Sequence, residues 1–175
     1  MMLTLREPQR VFVSQFASPV GTLWLAATQR GLVKIAFDGE EEHGLEWVLK
    51  RFPNAKLIPG EKNNAEFHIE LDEYFKGRRR DFTCKTALVV SEFSRTVLYE
   101  VRRIPFGATA GYRDIAQAIG MPTASRAVGR ALAGNPVPVI VPCHRVVGSD
   151  GKLVGFGGGL HIKQWLLSHE RGYLH

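Results

Sequence analysis

The sequence predicts an α+β protein built in two parts, an N-terminal α/β part over residues 1–90 and a mostly helical part over residues 91–175. Three observations carry this expectation. Apolar and polar residues alternate with period two through residues 11–37, as in strands paired antiparallel. From Glu92 onward the apolar spacing lengthens to that of helices. Gly120-Met121-Pro122 then joins two short helical stretches, the pattern of a helix-turn-helix. A chain of 175 residues holds one ordinary domain or two small ones.

Each element has its own justification. Val11, Val13 and Gln15 oppose Phe12, Ser14 and Phe16 in the first strand, and Ser18-Pro19-Val20-Gly21 turns the chain. Leu23 and Leu25 alternate with Trp24 and Ala26 in the second, Gln29-Arg30-Gly31 turns again, and Val33 to Phe37 completes a three-stranded antiparallel meander. Glu42 to Phe52 reads as a helix with Leu45, Val48, Leu49 and Phe52 inward, stopped by Pro53. Asn64 to Phe75 is a second, with Phe67, Leu71, Tyr74 and Phe75 inward and Gly77 as its stop. Lys76 and Arg78-Arg79-Arg80 read as a solvated loop. Phe82 to Val90 alternates as a further strand, with Cys84 a structural residue in it.

In the second part, Phe93, Val97, Val101 and Ile104 mark a helix ended by Pro105-Phe106-Gly107. Tyr112 to Ile119 is a short helix. Thr123 is the expected cap of the next, which runs to Ala133 and carries Arg126 and Arg130 four residues apart. Ala124, Ser125, Ala127 and Gly129 surround these arginines, and such small side chains let the helix backbone come close to another surface. Val146 to Val154 reads as a hairpin turning at Asp150-Gly151. The run Gly155-Phe156-Gly157-Gly158-Gly159 lacks the Lys-Ser/Thr of a phosphate loop and reads as a flexible wall for a flat ligand. Leu160 to Glu170 is the last helix, with Ile162, Trp165 and Leu166 inward.

Composition narrows the function. Apolar residues make up 45% and charged ones 23%, as in globular chains, and the net charge of +6 favours a polyanionic partner such as nucleic acid. No 18-residue apolar run exists, so no membrane span is expected, and residues 1–8 lack the apolar core of a signal peptide. Two cysteines, Cys84 and Cys143, make neither a disulfide framework nor a Cys/His zinc cluster. The expectation is a cytoplasmic protein without metal or cofactor.

Asn135-Pro136-Val137-Pro138-Val139-Ile140-Val141-Pro142-Cys143-His144-Arg145-Val146 concentrates the chemistry. Prolines at this density exclude a central strand. The run reads as an extended, stiff segment, buried through its valines, that ends by presenting a thiol beside an imidazole. An isolated cysteine in an apolar run is ordinarily inert, but here His144 and Arg145 adjoin it and favour a thiolate.

Pro142-Cys143-His144-Arg145-Val146 resembles the signature of the O6-alkylguanine-DNA alkyltransferases. The likeness extends from Phe93 to Glu170 through Ile104-Pro105-Phe106-Gly107, Tyr112, Ser125-Arg126-Ala127-Val128-Gly129, Gly134-Asn135-Pro136-Val137-Pro138 and Trp165-Leu166-Leu167-Ser168-His169-Glu170. The resemblance implies a ribonuclease H-like N-terminal domain and a C-terminal winged helix-turn-helix domain. It implies stoichiometric transfer of the alkyl group from O6-alkylguanine, and from O4-alkylthymine, in double-stranded DNA to Cys143, by a monomer that acts once.

Further residues take roles by the same resemblance. His144 and Glu170 match a Cys–water–His–Glu relay, Tyr112 the group that assists departure of guanine, and Asn135 the residue that fixes the active-site turn. Arg126 matches a finger that fills the place of a flipped nucleotide, with Ala124, Ser125, Arg130, Tyr112 and Ser149 on the DNA face. Leu132, Val146, Phe156, Gly157 and Gly158 match the pocket. Gly157 stands where some relatives carry Ser and leaves room for bulky alkyl groups. Some relatives bind zinc in the N-terminal part, and that ligand set is missing here.

Three other readings fit less of the chain. A lesion-binding relative without a nucleophile carries Trp at the Cys143 position. A winged-helix regulator leaves Cys143 and His144 unexplained. A Cys-His hydrolase needs an oxyanion site that the sequence does not show. On its residues alone, Glu170 reads as an exposed helix-end carboxylate at the unfavourable end of the dipole. Glu170→Gln is then expected to leave stability unchanged or slightly improved.

Overall fold

The computed structural model describes residues 8–173; the expectation for the chain's beginning falls mainly on residues 1–7, outside them. Three strands, β1 (Arg10–Ser18), β2 (Gly21–Thr28) and β3 (Gly31–Ala36), form the expected meander. The β1–β2 register runs from Phe12 opposite Ala27 to Ser18 opposite Gly21. Gly21 and Gly31 hold φ of 102° and 128°, left-handed conformations that suit glycine at these two tight turns. Both faces of the sheet are covered. Leu23, Leu25, Ala27 and Ile35 belong to the main core, while Val11, Ala26 and Val33 pack with Val48 of α1 (Glu41–Arg51).

The sheet has a fourth strand that the meander reading missed. β4 (Lys56–Pro59) pairs in parallel with β1, giving the order β3-β2-β1-β4. The helix α2 (Ala65–Phe75) follows, with Phe67, Leu71, Tyr74 and Phe75 buried as its periodicity predicts. It closes in a Schellman turn: the N–H of Gly77 (φ 70°) reaches Tyr74 O and that of Arg78 reaches Glu73 O. Leu49, expected inward on α1, is exposed, and Gly44 takes the inner face against Ala36 and Trp24.

The second part begins with α3 (Glu92–Arg102), capped by the Ser91 hydroxyl accepting from the Ser94 N–H. A two-residue strand, β5 (Ala110–Gly111), leads into α4 (Tyr112–Ala118), and α5 (Ser125–Ala133) completes the helix-turn-helix. β6 (Val146–Val147) pairs in parallel with β5, and α6 (Leu160–Gly172) ends the described chain. One continuous apolar core joins the two parts, from Leu23, Leu25 and Leu71 through Val97 and Val101 to Val137, Val141, Ile162 and Leu166.

Three local expectations are corrected. Residues 82–90 form no strand; the segment is an extended linker held on the β3 edge by Leu32 N–H to Lys85 O and Ala87 N–H to Leu32 O. Burial on alternate residues mimicked a strand, but only one bridge forms. The 146–154 hairpin is a closed turn, Gly148 N–H to Lys152 O, whose return arm forms no strand; the carbonyls of Val146 and Val154 both accept from the Lys163 ammonium instead. Thr123 does not cap α5; Ala124 holds that position without a side-chain bond.

Candidate active site

The proline-rich segment folds as a braced turn. Asn135 is the brace: its Oδ1 accepts from the Val137 N–H (3.1 Å), and its Nδ2 donates to Val141 O (3.0 Å) and to Cys143 Sγ (3.1 Å). Val139 at the bend holds φ of 73°, costly for a β-branched residue, by about 1–3 kcal/mol. The surrounding burial maintains it, since Val137, Val139 and Val141 are fully enclosed. The Ile35 N–H donates to Pro136 O (2.8 Å), tying the turn to the outer edge of β3 beyond the stretch that the linker holds. The chain then enters one 3-10 turn, Cys143–Arg145.

Glu170, expected at the surface, is 0% exposed. Its carboxylate accepts from the Tyr74 hydroxyl (2.9 Å), the Gly107 N–H (2.8 Å), Arg145 Nε (2.9 Å) and Nη2 (3.0 Å), and His144 Nε2 (2.7 Å). Burial alone would raise its pKa, but the hydrogen bonds from His144 and Arg145 and the Arg145 charge overcome that and hold it down at about 2. An ionised acceptor fixes the tautomer: Nε2 carries the proton. Burial pushes the His144 pKa down against the pull of Glu170, so the ring is neutral and Nδ1 is a base. That Nδ1 is buried and has no partner among the described residues.

Burial also pushes the Cys143 thiol up, opposed by the Asn135 hydrogen bond and by Lys163. The resting site is therefore a thiol beside a neutral imidazole, not the populated thiolate that the neighbouring His144 and Arg145 suggested. Lys163 is a functional candidate that sequence reasoning missed. It is fully buried, and its ammonium donates to Val146 O (2.6 Å) and Val154 O (2.7 Å). Burial pushes the Lys163 pKa down against the pull of Cys143, and the Lys163 charge in turn favours the Cys143 thiolate. The pairing of Arg145 and Tyr74 with Glu170 was not foreseen either, because nothing local in the sequence links either residue to it.

Cys143 opens on a cavity of about 370 Å³. Leu132, Phe156 and Gly157 line it together with Asn135, and a Cβ added at Gly157 meets nothing within 4 Å. Val146 and Gly158 do not line it. Val146 is wholly buried and offers its carbonyl to Lys163, whereas Gly158 lies so close to Phe37 that a Cβ would come within 2.7 Å of the ring. Lys34, Phe37, Glu40 and His43 of the N-terminal part supply the opposite wall, which the sequence did not reveal.

The helix-turn-helix borders a separate cavity of about 780 Å³, lined by Tyr112, Arg113, Ser125 and Ser149 among others. Arg126 and Arg130 are exposed on α5, and Ala124 is half-buried. Gly129 faces inward, where an added Cβ would lie 3.6 Å from the Tyr112 ring, so one of the small residues serves packing of α5 on α4. Tyr112 is half-buried; its hydroxyl donates to Val154 O at 3.4 Å and is pushed up by burial and by Cys143. Among the described residues, no group of three or more His, Cys, Asp or Glu is placed to hold a metal, and no helix is long and apolar enough to cross a membrane.

Comparison with known proteins gives a consistent result. Residues 11–88 match the family described as 6-O-methylguanine DNA methyltransferase, ribonuclease-like domain, and residues 92–172 match the DNA binding domain of the same name. The inducible methylated-DNA–protein-cysteine methyltransferase of Bacillus subtilis is 38% identical over 149 residues, 85% of this chain and 83% of that protein. The Methanosarcina barkeri protein of that name is 39% identical over 157 residues, 90% of this chain and 95% of that one. Among solved structures, Mycobacterium tuberculosis OGT in complex with DNA superposes with a TM-score of 0.77 at 32% identity, covering 94% of each chain.

Proposed function

The chain belongs to the 6-O-methylguanine DNA methyltransferase family, and on that premise we propose that it repairs DNA by taking the alkyl group of O6-alkylguanine, and of O4-alkylthymine, onto Cys143. The observation that carries this reading is the unpartnered Nδ1 of a neutral, Glu170-held His144 next to a buried thiol at the floor of a cavity. His144 Nδ1 takes the thiol proton through one water, while Lys163 and Asn135 Nδ2 stabilise the developing thiolate. Sγ then forms a bond to the alkyl carbon as that carbon's bond to the base oxygen breaks. The base leaves with its electron pair, and a proton or hydrogen bond given to it by Tyr112 as charge develops eases departure.

O6 of guanine lies inside the stack at the major-groove edge. In-line attack therefore requires the nucleotide to be flipped into the 370 Å³ cavity. Exposed Arg126 fills the gap in the duplex, and α5 lies in the minor groove, reading phosphates and shape. Arg126→Ala should slow repair of duplex about tenfold or more while leaving reaction with free O6-benzylguanine within about twofold, because only the duplex must be opened. Single-turnover rates on the two substrates check this; equal losses remove the finger role.

The thioether has no route back to thiol, so each molecule, a cytoplasmic monomer in this reading, reacts once. Labelled alkylated DNA should leave one alkyl group per protein, which peptide mass spectrometry should locate on Cys143. Cys84 should stay unmodified: it is buried, and burial and the Glu70 carboxylate push its pKa to about 12. Product in excess of protein, or label on Cys84, rejects the proposal.

A further inference from the structure

The basic run Arg78-Arg79-Arg80 splits in the structure. Arg78 pairs with Asp72 (3.1 Å), and Arg79 pairs with Glu73 (2.8 Å) and Glu70 (3.4 Å). Arg80 forms no ion pair among the described residues; its Nη2 donates to the Tyr173 carbonyl (3.2 Å). It lines a cavity of about 190 Å³ together with Arg102, which donates to the Thr86 hydroxyl (3.0 Å) and likewise meets no carboxylate there, and with Arg145. This cavity lies behind the active-site turn, against Val139 and Pro142, and shares no lining residue with the cavity at Cys143.

Arg145 supplies a second, independent observation. A guanidinium has five N–H donors. Nε is spent on Glu170, Nη1 on Ile104 O (2.6 Å) and Nη2 on Glu170 Oε1 (3.0 Å), with one bond recorded from each Nη. One N–H on each Nη therefore has no acceptor among the described residues, although Arg145 is only 3% exposed. Arg80 and Arg145 flank the same ring, each with Cζ at 5.8 Å from the centre of Phe106. Asp81 is the single carboxylate lining the cavity, and Glu170 is already occupied by Arg145 and His144. Three guanidiniums thus converge on a small polar space with donors to spare.

We propose that this cavity binds a phosphoryl oxyanion, held by Arg80, Arg102 and the spare N–H groups of Arg145. A tetrahedral anion offers several acceptor oxygens to forked donors that approach from different sides, which a monovalent spherical ion does not. The same chemistry is offered by free phosphate and by a phosphodiester of DNA. The inference stands apart from the alkyl-transfer reading, since neither Arg80 nor Arg102 is part of the acceptor machinery.

The test uses the full chain and inorganic phosphate at constant ionic strength, with chloride as control. Phosphate should give a saturable rise in Tm that chloride does not reproduce, and its own 31P resonance should shift saturably with added protein and not be restored by chloride. Arg80→Gln with Arg102→Gln should weaken it about tenfold or more, and Arg78→Gln should not. Arg80→Gln alone, a change at an exposed side chain, gives the same comparison should the double variant fold poorly. If the natural source is DNA, undamaged duplex displaces the phosphate, and the variants lose about one unit of salt slope in duplex binding. If the source is free phosphate, the DNA-bound protein still takes it up and the slope is unchanged. A response no greater than chloride's, or one that survives in the variants, overturns the site.

Discussion

Replacing Cys143 with serine should abolish alkyl transfer, by at least about 10⁴-fold, the scale of loss when a covalent enzyme loses its nucleophile. A hydroxyl is far harder to ionise than a thiol, and a neutral imidazole is too weak a base to ionise it ahead of attack. The fold should survive, because Asn135 Nδ2 can donate to the serine oxygen as it does to Sγ. Affinity for undamaged duplex should also survive, since Arg126 and Arg130 lie on α5 and not in the acceptor cavity. A single-turnover assay with a parallel duplex-binding titration checks both arms. In the parent protein the rate should be flat across pH 6.5 to 9.0. Burial lowers His144 from 6.5 and raises Cys143 from 9.0, so within that window both partners hold the neutral forms from which transfer begins. A rate that climbs steeply through this range, tracking a titrating thiol, would mean that free thiolate is the reactant.

The parts of this architecture that depend on near neighbours were legible in the sequence. The meander, the helices and the stiffness and burial of the Asn135-to-Arg145 segment announce themselves through period, punctuation or proline, although that segment turns back at Val139 where an extended run was expected. What escaped depends on pairing at a distance. Lys56-Leu57-Ile58-Pro59 is too short to alternate visibly and becomes a strand only because β1 offers its edge. Phe82 to Val90 alternates in burial without pairing as a strand, so its period misled. The largest miss was electrostatic. Helix-end logic places a carboxylate at Glu170 in water, whereas Tyr74, Gly107 and the adjacent His144 and Arg145 arrive from three other places to enclose it. Lys163 was hidden for the same reason, its two acceptors being carbonyls 17 and 9 residues away.

Glu170→Gln should therefore destabilise the protein by about 3–5 kcal/mol, reversing the neutral or stabilising outcome that helix-end reasoning suggests. An amide has one acceptor oxygen where the carboxylate has two, and its NH₂ would face either the donors at Oε1, from Tyr74, His144 and Arg145, or those at Oε2, from Gly107 and Arg145. The heavier consequence is the buried Arg145 guanidinium, 3% exposed, left with no carboxylate partner. Against a total stability of roughly 5–15 kcal/mol, such a loss lowers Tm by many degrees. The same pairing sets a pH dependence. Glu170 ordinarily titrates near 4.5 and is held at about 2 in the fold, so its contribution is fully present above 4.5 and fades as pH falls towards 2. The variant should lack that part of the acid sensitivity, narrowing its gap to the parent as the medium is acidified. Transfer should fall as well, because His144 loses the anion that fixes its tautomer. Denaturant melts of both proteins between pH 3 and 7 measure the gap directly. A variant within about 1 kcal/mol of the parent at pH 7 would show that Arg145 finds another partner when the carboxylate is gone.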